Sequence, residues 1–276
     1  ENYGLDVNHL NELVKEHNPS IIVTCNVLGF SNDYDKILEI CKSNNIFLIE
    51  DSCEAVGTVH KNNVTGTFGD ISTFSFYYGH HMSTIEGGMI CTDNEELATI
   101  ITSIRCHGWD RDLPEKEQRK LRKQYNIDDF KALYTFYYPG FNMRCSDLQA
   151  FIGINQLNRL NEMNEKRYNN FKEYRRYDKS DWAINENDYS FISNMAYPVV
   201  TDKIKEVSVK LTENNVEHRP LICGSIGMQP FWVKKYGIDK RLKNARYVHE
   251  NGIYVPNNPD LTNEEIKKIS SIIWGE

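Results

Sequence analysis

The 276-residue sequence contains no apolar run of transmembrane length, no internal repeat and no low-complexity stretch. A membrane span and a solenoid are therefore not expected. Its seven cysteines (Cys25, Cys41, Cys53, Cys91, Cys106, Cys145 and Cys223) are odd in number, scattered, and include no Cys-x-x-Cys or Cys-x-Cys pair. That pattern speaks against a zinc site, an iron–sulfur cluster or a disulfide framework, and for reduced, mostly buried thiols in the cytoplasm. Nor is there an excess of positive charge. The formal net charge of -7 argues against a general nucleic-acid binder, although an anionic small ligand remains open because local charge decides that. With 40% hydrophobic residues and this length, a sizeable core and roughly two domains are expected.

What is present begins as alternating helix and strand. Val7, Leu10, Leu13 and Val14 predict a short helix over 6–17. The continuous apolar run from Ser20 to Leu28, broken by Gly29, predicts a strand buried on both faces, as in a parallel sheet. Ile37, Leu38, Ile40 and Cys41 place a helix over 34–44, and Ile46 to Ile49 is a second buried strand. Strand, helix and strand with short connections make a βαβ unit of the α/β class. Gly57, Gly66 and Gly69 mark a turn or hairpin over 56–70. A strand over 71–78, a short one over 89–92 and a helix over 95–106 capped by Asp93 or Asn94 follow.

The polar stretch 111–131 reads as an exposed excursion. Ser146 N-caps a long helix reaching Arg176, with an apolar face through Leu148, Ile152, Ile154 and Leu157. From about Trp182 the pattern is a strand over 195–200, a helix over 204–214, a strand over 217–222, a loop, and a last helix over 263–274. The expected division is a large domain over 1–160 and, over 161–276, a linking helix with a small α+β domain.

Chemistry-bearing residues gather between Ile49 and Met89. Asp51 closes an apolar strand, at the carboxyl end where ligands of open α/β sheets collect. It is readable as a cap or surface carboxylate, or as the fixed anion that keeps a ring nitrogen protonated. Ser75 is an ordinary strand hydroxyl or, five residues before His80, a phosphate ligand. His80 and His81, as neighbours on a strand, point to opposite faces, which disfavours joint metal ligation and leaves one of them as an acid–base group. Glu86-Gly-Gly88 is most simply a turn.

Together, Glu50-Asp-Ser-Cys-Glu-Ala55, Gly66-Thr-Phe-Gly-Asp70, Ser75-Phe-Tyr-Tyr-Gly-His-His81, Glu86-Gly-Gly-Met89, His107-Gly-Trp109 and Gly140-Phe-Asn-Met-Arg144 resemble, in order and spacing, the sugar aminotransferases of the DegT/DnrJ/EryC1/StrS type. The resemblance covers nearly the whole chain. It implies the aspartate aminotransferase-like fold of type I, with a mostly parallel sheet, pyridoxal or pyridoxamine phosphate as cofactor, and a homodimer with shared active sites. In that family a lysine forming a Schiff base with the cofactor stands where this chain has His80. An imidazole moves protons but makes no stable Schiff base.

With Glu54 where most members carry glutamine, the chain resembles the branch that removes the 3-hydroxyl of nucleotide-linked 4-keto-6-deoxy sugars, using glutamate as amino donor. The stretches Arg105 to Pro114 and His218 to Ile222 are similar to that branch as well. The resemblance implies that His80 is catalytic, that Asp51 holds the ring nitrogen, and that Glu54 lies near the ring hydroxyl. It implies too that Ser75 binds the cofactor phosphate, with Asn142 reaching it across the dimer. Arg219 is a candidate for substrate contact or for a structural ion pair. The family segment upstream of Glu1, which supplies a helix N-terminus for the phosphate, is expected to be missing from the large domain. A sugar aminotransferase and a non-catalytic relative remain the alternatives.

Overall fold

The computed structural model describes residues 3–180 and 188–275, so the expected opening of the second domain at Trp182 lies outside the described residues. Strands β1 (Ile21–Cys25) and β2 (Phe47–Asp51) flank helix α2 (Tyr34–Asn44), which follows α1 (Val7–His17). After the hairpin β3 (Val59–His60) and β4 (Asn63–Val64) come β5 (Ile71–Ser75) and β6 (Gly88–Cys91). The main sheet runs β1-β2-β5-β6, with its first two pairings parallel and the last antiparallel. Val14, Ile22, Tyr34, Ile37, Cys41, Ile46 and Leu48 form the core between this sheet and helices α1 and α2.

The expectation that β1 is buried on both faces is overturned. Ile22 and Thr24 are buried, whereas Ile21 and Val23 are 52% and 64% exposed. Side chains alternate along a strand, and α1 and α2 cover one face only. The strand also stops at Cys25, short of Leu28, because Leu28 has φ 54 inside the helical turn Val27–Gly29. Likewise β5 ends at Ser75, short of Tyr78. The chain leaves the ladder there for a loop closed by Phe76 N–H to Gly87 O (2.9 Å) and Tyr78 N–H to Ile85 O (3.1 Å). Gly87 and Gly88 allow this closure: a Cβ would lie 2.2 Å from Thr84 Oγ1 at the first and 2.8 Å from Phe74 O at the second.

Helix α3 (Glu95–Arg105) is capped by Asn94, whose side chain accepts from Glu96 and Leu97. The stretch expected to be an exposed excursion is instead partly helical, with α4 (Glu115–Tyr125) and α5 (Asp129–Ala132). It is tied down by Leu121, which is buried, and by Arg122 Nε, 2.7 Å from the fully buried carboxylate of Asp110. Its buried apolar side chains, Leu113 and Leu121, are too few to give a readable periodicity.

Helix α6 (Asp147–Tyr177) opens on a capping box in which Ser146 and Gln149 satisfy each other's backbone, and it continues unbroken past residue 160. Its expected apolar face is mostly not core: Leu148, Ile154 and Leu157 are 61–67% exposed, as is Phe151 beside them, and Ile152 is only half-buried. Its second half packs instead, through Phe171 and Tyr174, against a sheet made of β8 (Ala196–Val200), β10 (Gly252–Pro256) and β9 (Arg219–Pro220). Strand β7 (Tyr189–Phe191) joins the β3 hairpin. Helix α7 (Ile204–Glu213) and α10 (Asn263–Trp274) complete that core through Val207, Leu211, Ile266 and Ile269.

The expected loop before α10 holds α8 (Pro230–Tyr236), α9 (Lys243–Asn251) and β10. Asn251-Gly252 is the one stop signal between α9 and β10, and the strand follows it with no intervening loop. Strand β9 has two residues rather than the expected six: Leu221 N–H still donates to Gly252 O (3.0 Å), and the chain then turns at Ile222, with φ 49. All seven cysteines are free, but only Cys41 and Cys106 are buried, contrary to the expectation for most of them. No helix among the described residues is long and apolar enough to cross a membrane.

Candidate active site

The carboxyl end of β2 carries two acids with different fates. Glu50 is fully buried and saturated, accepting from Asn26 Nδ2 (2.9 Å), Ser52 Oγ (3.0 Å), Gly66 N (2.5 Å) and Phe68 N (2.9 Å). It fastens the turn over 66–69 to the sheet and has no oxygen to spare for a ligand. Asp51, one residue on, is half-buried. Its Oδ1 accepts from Cys53 N (3.1 Å) and Thr73 Oγ1 (3.3 Å), and the Cys53 thiol is in hydrogen-bond reach of the same carboxylate.

Glu54 follows on the turn after β2. Its Oε2 accepts from Leu28 N at 2.7 Å, and the positive φ of Leu28 presents that amide. Burial raises the Glu54 carboxyl above its usual range, with the Asp51 charge adding to it and the Leu28 amide opposing. The shift extends the protonated form of Glu54 to higher pH than an exposed carboxyl would keep it.

His80 does not lie on a strand, as the sequence suggested, but in the loop beyond β5, where its N–H donates to Tyr77 O at 3.0 Å. It is half-buried. Its Nδ1 is closed off without a partner, which leaves Nε2 as the nitrogen open to a ligand. Burial pushes the imidazole below its ordinary value, Asp51 works against that, and Arg167 adds to it. His80 is thus neutral near pH 7 and able to accept a proton. His81 is fully enclosed, with Nε2 at 2.9 Å from Ser193 O, and burial first and Arg167 second push it down to about 3.

The structure therefore brings Asp51, Glu54 and His80 together in electrostatic reach. Ser75 is on the same face of β5 as Thr73, the Asp51 partner, one step further along, and its Oγ accepts from Tyr77 N at 3.2 Å. Asn142 pairs its backbone with Cys106 along the end of α3, and its side chain accepts only from Arg144 Nε (3.3 Å) among the described residues. Arg219 is paired with Glu217 at 2.6 Å and also reaches Tyr78, on the loop that carries His80.

Sequence reasoning passed over Arg167, which is buried on α6 and whose Nη1 donates to Met195 O at 2.9 Å. The signal was the spacing Asn164, Arg167, Asn170: three polar residues on one stripe beside Phe171 and Tyr174, all buried.

A sequence profile of the DegT/DnrJ/EryC1/StrS aminotransferase family matches residues 1–273. GDP-4-keto-6-deoxy-D-mannose 3-dehydratase of Escherichia coli O55:H7 is 32% identical over 98% of this chain and 71% of its own length. The solved E. coli GDP-4-keto-6-deoxy-D-mannose 3-dehydratase with bound hydrated pyridoxal phosphate superposes with a TM-score of 0.87 at 30% identity, covering 99% of this chain and 71% of that one. A structure of such a dehydratase with a trapped cofactor–glutamate geminal diamine also gives a TM-score of 0.87, at 29% identity over 99% of this chain and 72% of the other.

Proposed function

Because the chain belongs to the DegT/DnrJ/EryC1/StrS aminotransferase family, we propose that it removes the 3-hydroxyl from a nucleotide-linked 4-keto-6-deoxyhexose, giving a 3,6-dideoxy-4-ketosugar. It is a pyridoxal or pyridoxamine phosphate-dependent lyase. The observation that carries the reading is His80: a neutral imidazole, with one nitrogen open, at the position where the family's aminotransferases need a primary amine.

The residues present fit the cofactor. Asp51 presents its carboxylate at the end of a parallel strand, and Glu54, whose carboxyl is raised by burial, stands beside it. Asp51 would hold the ring nitrogen protonated, Glu54 would donate to the ring hydroxyl, and Ser75 would take the phosphate. When bound, the cofactor would supply an amine that condenses with the 4-keto group and a ring that holds the electron pair freed by proton removal and returns it as the 3-hydroxyl leaves with its bonding pair. His80 moves the proton, at Nε2. The anion of Asp51 keeps that imidazole from being pushed lower still by burial. Arg219, anchored by Glu217 beside Tyr78, is placed to meet the anionic substrate.

The substrate resembles that of the E. coli relative in being a GDP-linked ketosugar, with glutamate restoring the amine form of the cofactor. Two copies of the chain pair, in this reading, over the exposed apolar face of α6, which supports the expectation that Asn142 serves the site of the other copy. The division into a cofactor-binding part over 1–160 and a smaller part over 161–276 belongs to the same reading. So does a cytoplasmic location, where free thiols stay reduced.

The variant His80→Lys tests it. Dehydration should fall by about 10²–10⁴, the usual worth of a positioned acid–base group, while the cofactor becomes covalently attached and survives dialysis. Undiminished dehydration in that variant would contradict the role given to His80.

A further inference from the structure

His81 is the neighbour of the proton carrier and is itself unable to carry one, being enclosed and uncharged. Its Nε2 lies 2.9 Å from the Ser193 carbonyl. A carbonyl only accepts, so Nε2 carries the N–H, and Nδ1 is the bare nitrogen, buried without a partner. The imidazole is thereby fixed in one tautomer and one orientation.

Ser193 is held equally firmly on its other side. Its N–H donates to Thr58 Oγ1 (3.0 Å), which donates to Gly29 O (2.9 Å). The Ser193 carbonyl presses so closely on Gly29, at φ 98, that a Cβ there would lie 2.3 Å from it. Asn194 Nδ2 and Met195 N–H both donate to Leu28 O, at 2.7 and 3.1 Å, and the Leu28 N–H is the donor to Glu54. Arg167 closes the far end through Met195 O. One buried crossing over 193–195 therefore touches both sides of the site: Glu54 through Leu28, and the His80 loop through His81.

The side chain of His80 makes no hydrogen bond among the described residues. We propose that His81 is a positioning residue, fastening the loop that carries His80 to the crossing over 193–195 and so fixing where the His80 imidazole sits. This rests on His80 being the proton carrier.

The groups that face His80 are Asp51 from β2, Arg167 from α6, His81, and Tyr77 of its own loop with ring centroids 5.9 Å apart. If the loop is released, His80 gains solvent and its proton affinity rises, since burial is the main cause that holds it down.

The test is a nuclear magnetic resonance titration of the labelled histidines in the full chain, with turnover measured beside it. In His81→Leu, His80 should bind its proton at least about threefold more tightly than in the parent. Its kcat should fall about tenfold or more, with KM within about twofold. In His81→Gln, whose amide can donate to Ser193 O from a similar position, both should stay near the parent. Should His81→Leu fail to fold, Thr58→Val loosens Ser193 from the opposite side and is expected to move His80 in the same direction. An unchanged His80 titration in the leucine variant, or in Thr58→Val where that one stands in, would overturn the proposal. A glutamine variant shifted as far as leucine would do the same. If the parent chain yields no dehydrated sugar, the functional reading fails, while the titration still decides whether His81 positions His80.

Discussion

Glu54 and Asp51 differ in what their protons are worth. Because burial raises the folded-state value of Glu54, the carboxyl stabilises the fold most below its ordinary 4.5, and stability is lost as pH rises from there through the raised value. Glu54→Gln keeps a neutral donor and removes that loss. It should retain dehydration within about threefold and show a flatter dependence of stability on pH, measured by urea unfolding between pH 4 and 8. Asp51→Asn, in contrast, removes the charge meant for the ring nitrogen, and should cost about 10²-fold or more in kcat. His80 follows the opposite sign. Its folded value is depressed, so the basic form persists through neutral pH, and kcat should decline only below the ordinary histidine value of 6.5. The place of Asp51 at the end of β2 was readable from sequence because a carboxylate ending an apolar strand is a local signal, and His80 stood out only through the family resemblance. Arg167 and the role of Ser193 were not, because each depends on partners far along the chain.

Among the elements, the helices were the more legible. Helix α2 and helix α10 have the predicted bounds because each is amphipathic and ends in its own stop signals, an αL Asn45 and Gly275. Strand β1 was misread because an apolar run does not reveal how many faces are covered. Residues 76–78, which open the loop over 76–87, were misread as strand because their aromatic side chains have strand propensity, while the loop's closure depends on Gly87 and Gly88. Helix α6 has a low-periodicity sequence but a complete capping box. Ser146→Ala should therefore destabilise the protein by about 1 kcal/mol, seen as a lower urea midpoint at unchanged slope. No change in midpoint would mean that packing alone sets the start of this helix.

The molecule as a whole leaves Leu148, Phe151, Ile154 and Leu157 exposed along one side of α6, an apolar stripe that water alone does not explain. The proposed pairing of two copies predicts that the parent sediments as a dimer at micromolar concentration, and that Leu157→Glu shifts it toward monomer with dehydration reduced. A parent that stays monomeric throughout would leave Asn142 without the role given to it. The central claim is that this protein eliminates a hydroxyl instead of installing an amine, and the product of the reaction decides it most directly. The full chain is incubated with pyridoxal phosphate, glutamate and a GDP-linked 4-keto-6-deoxyhexose, and the sugar nucleotide is then examined by mass spectrometry. The predicted product is lighter than the substrate by one oxygen atom and keeps its keto group. A product that keeps the 3-hydroxyl and carries an amino group in place of the keto oxygen would contradict the account.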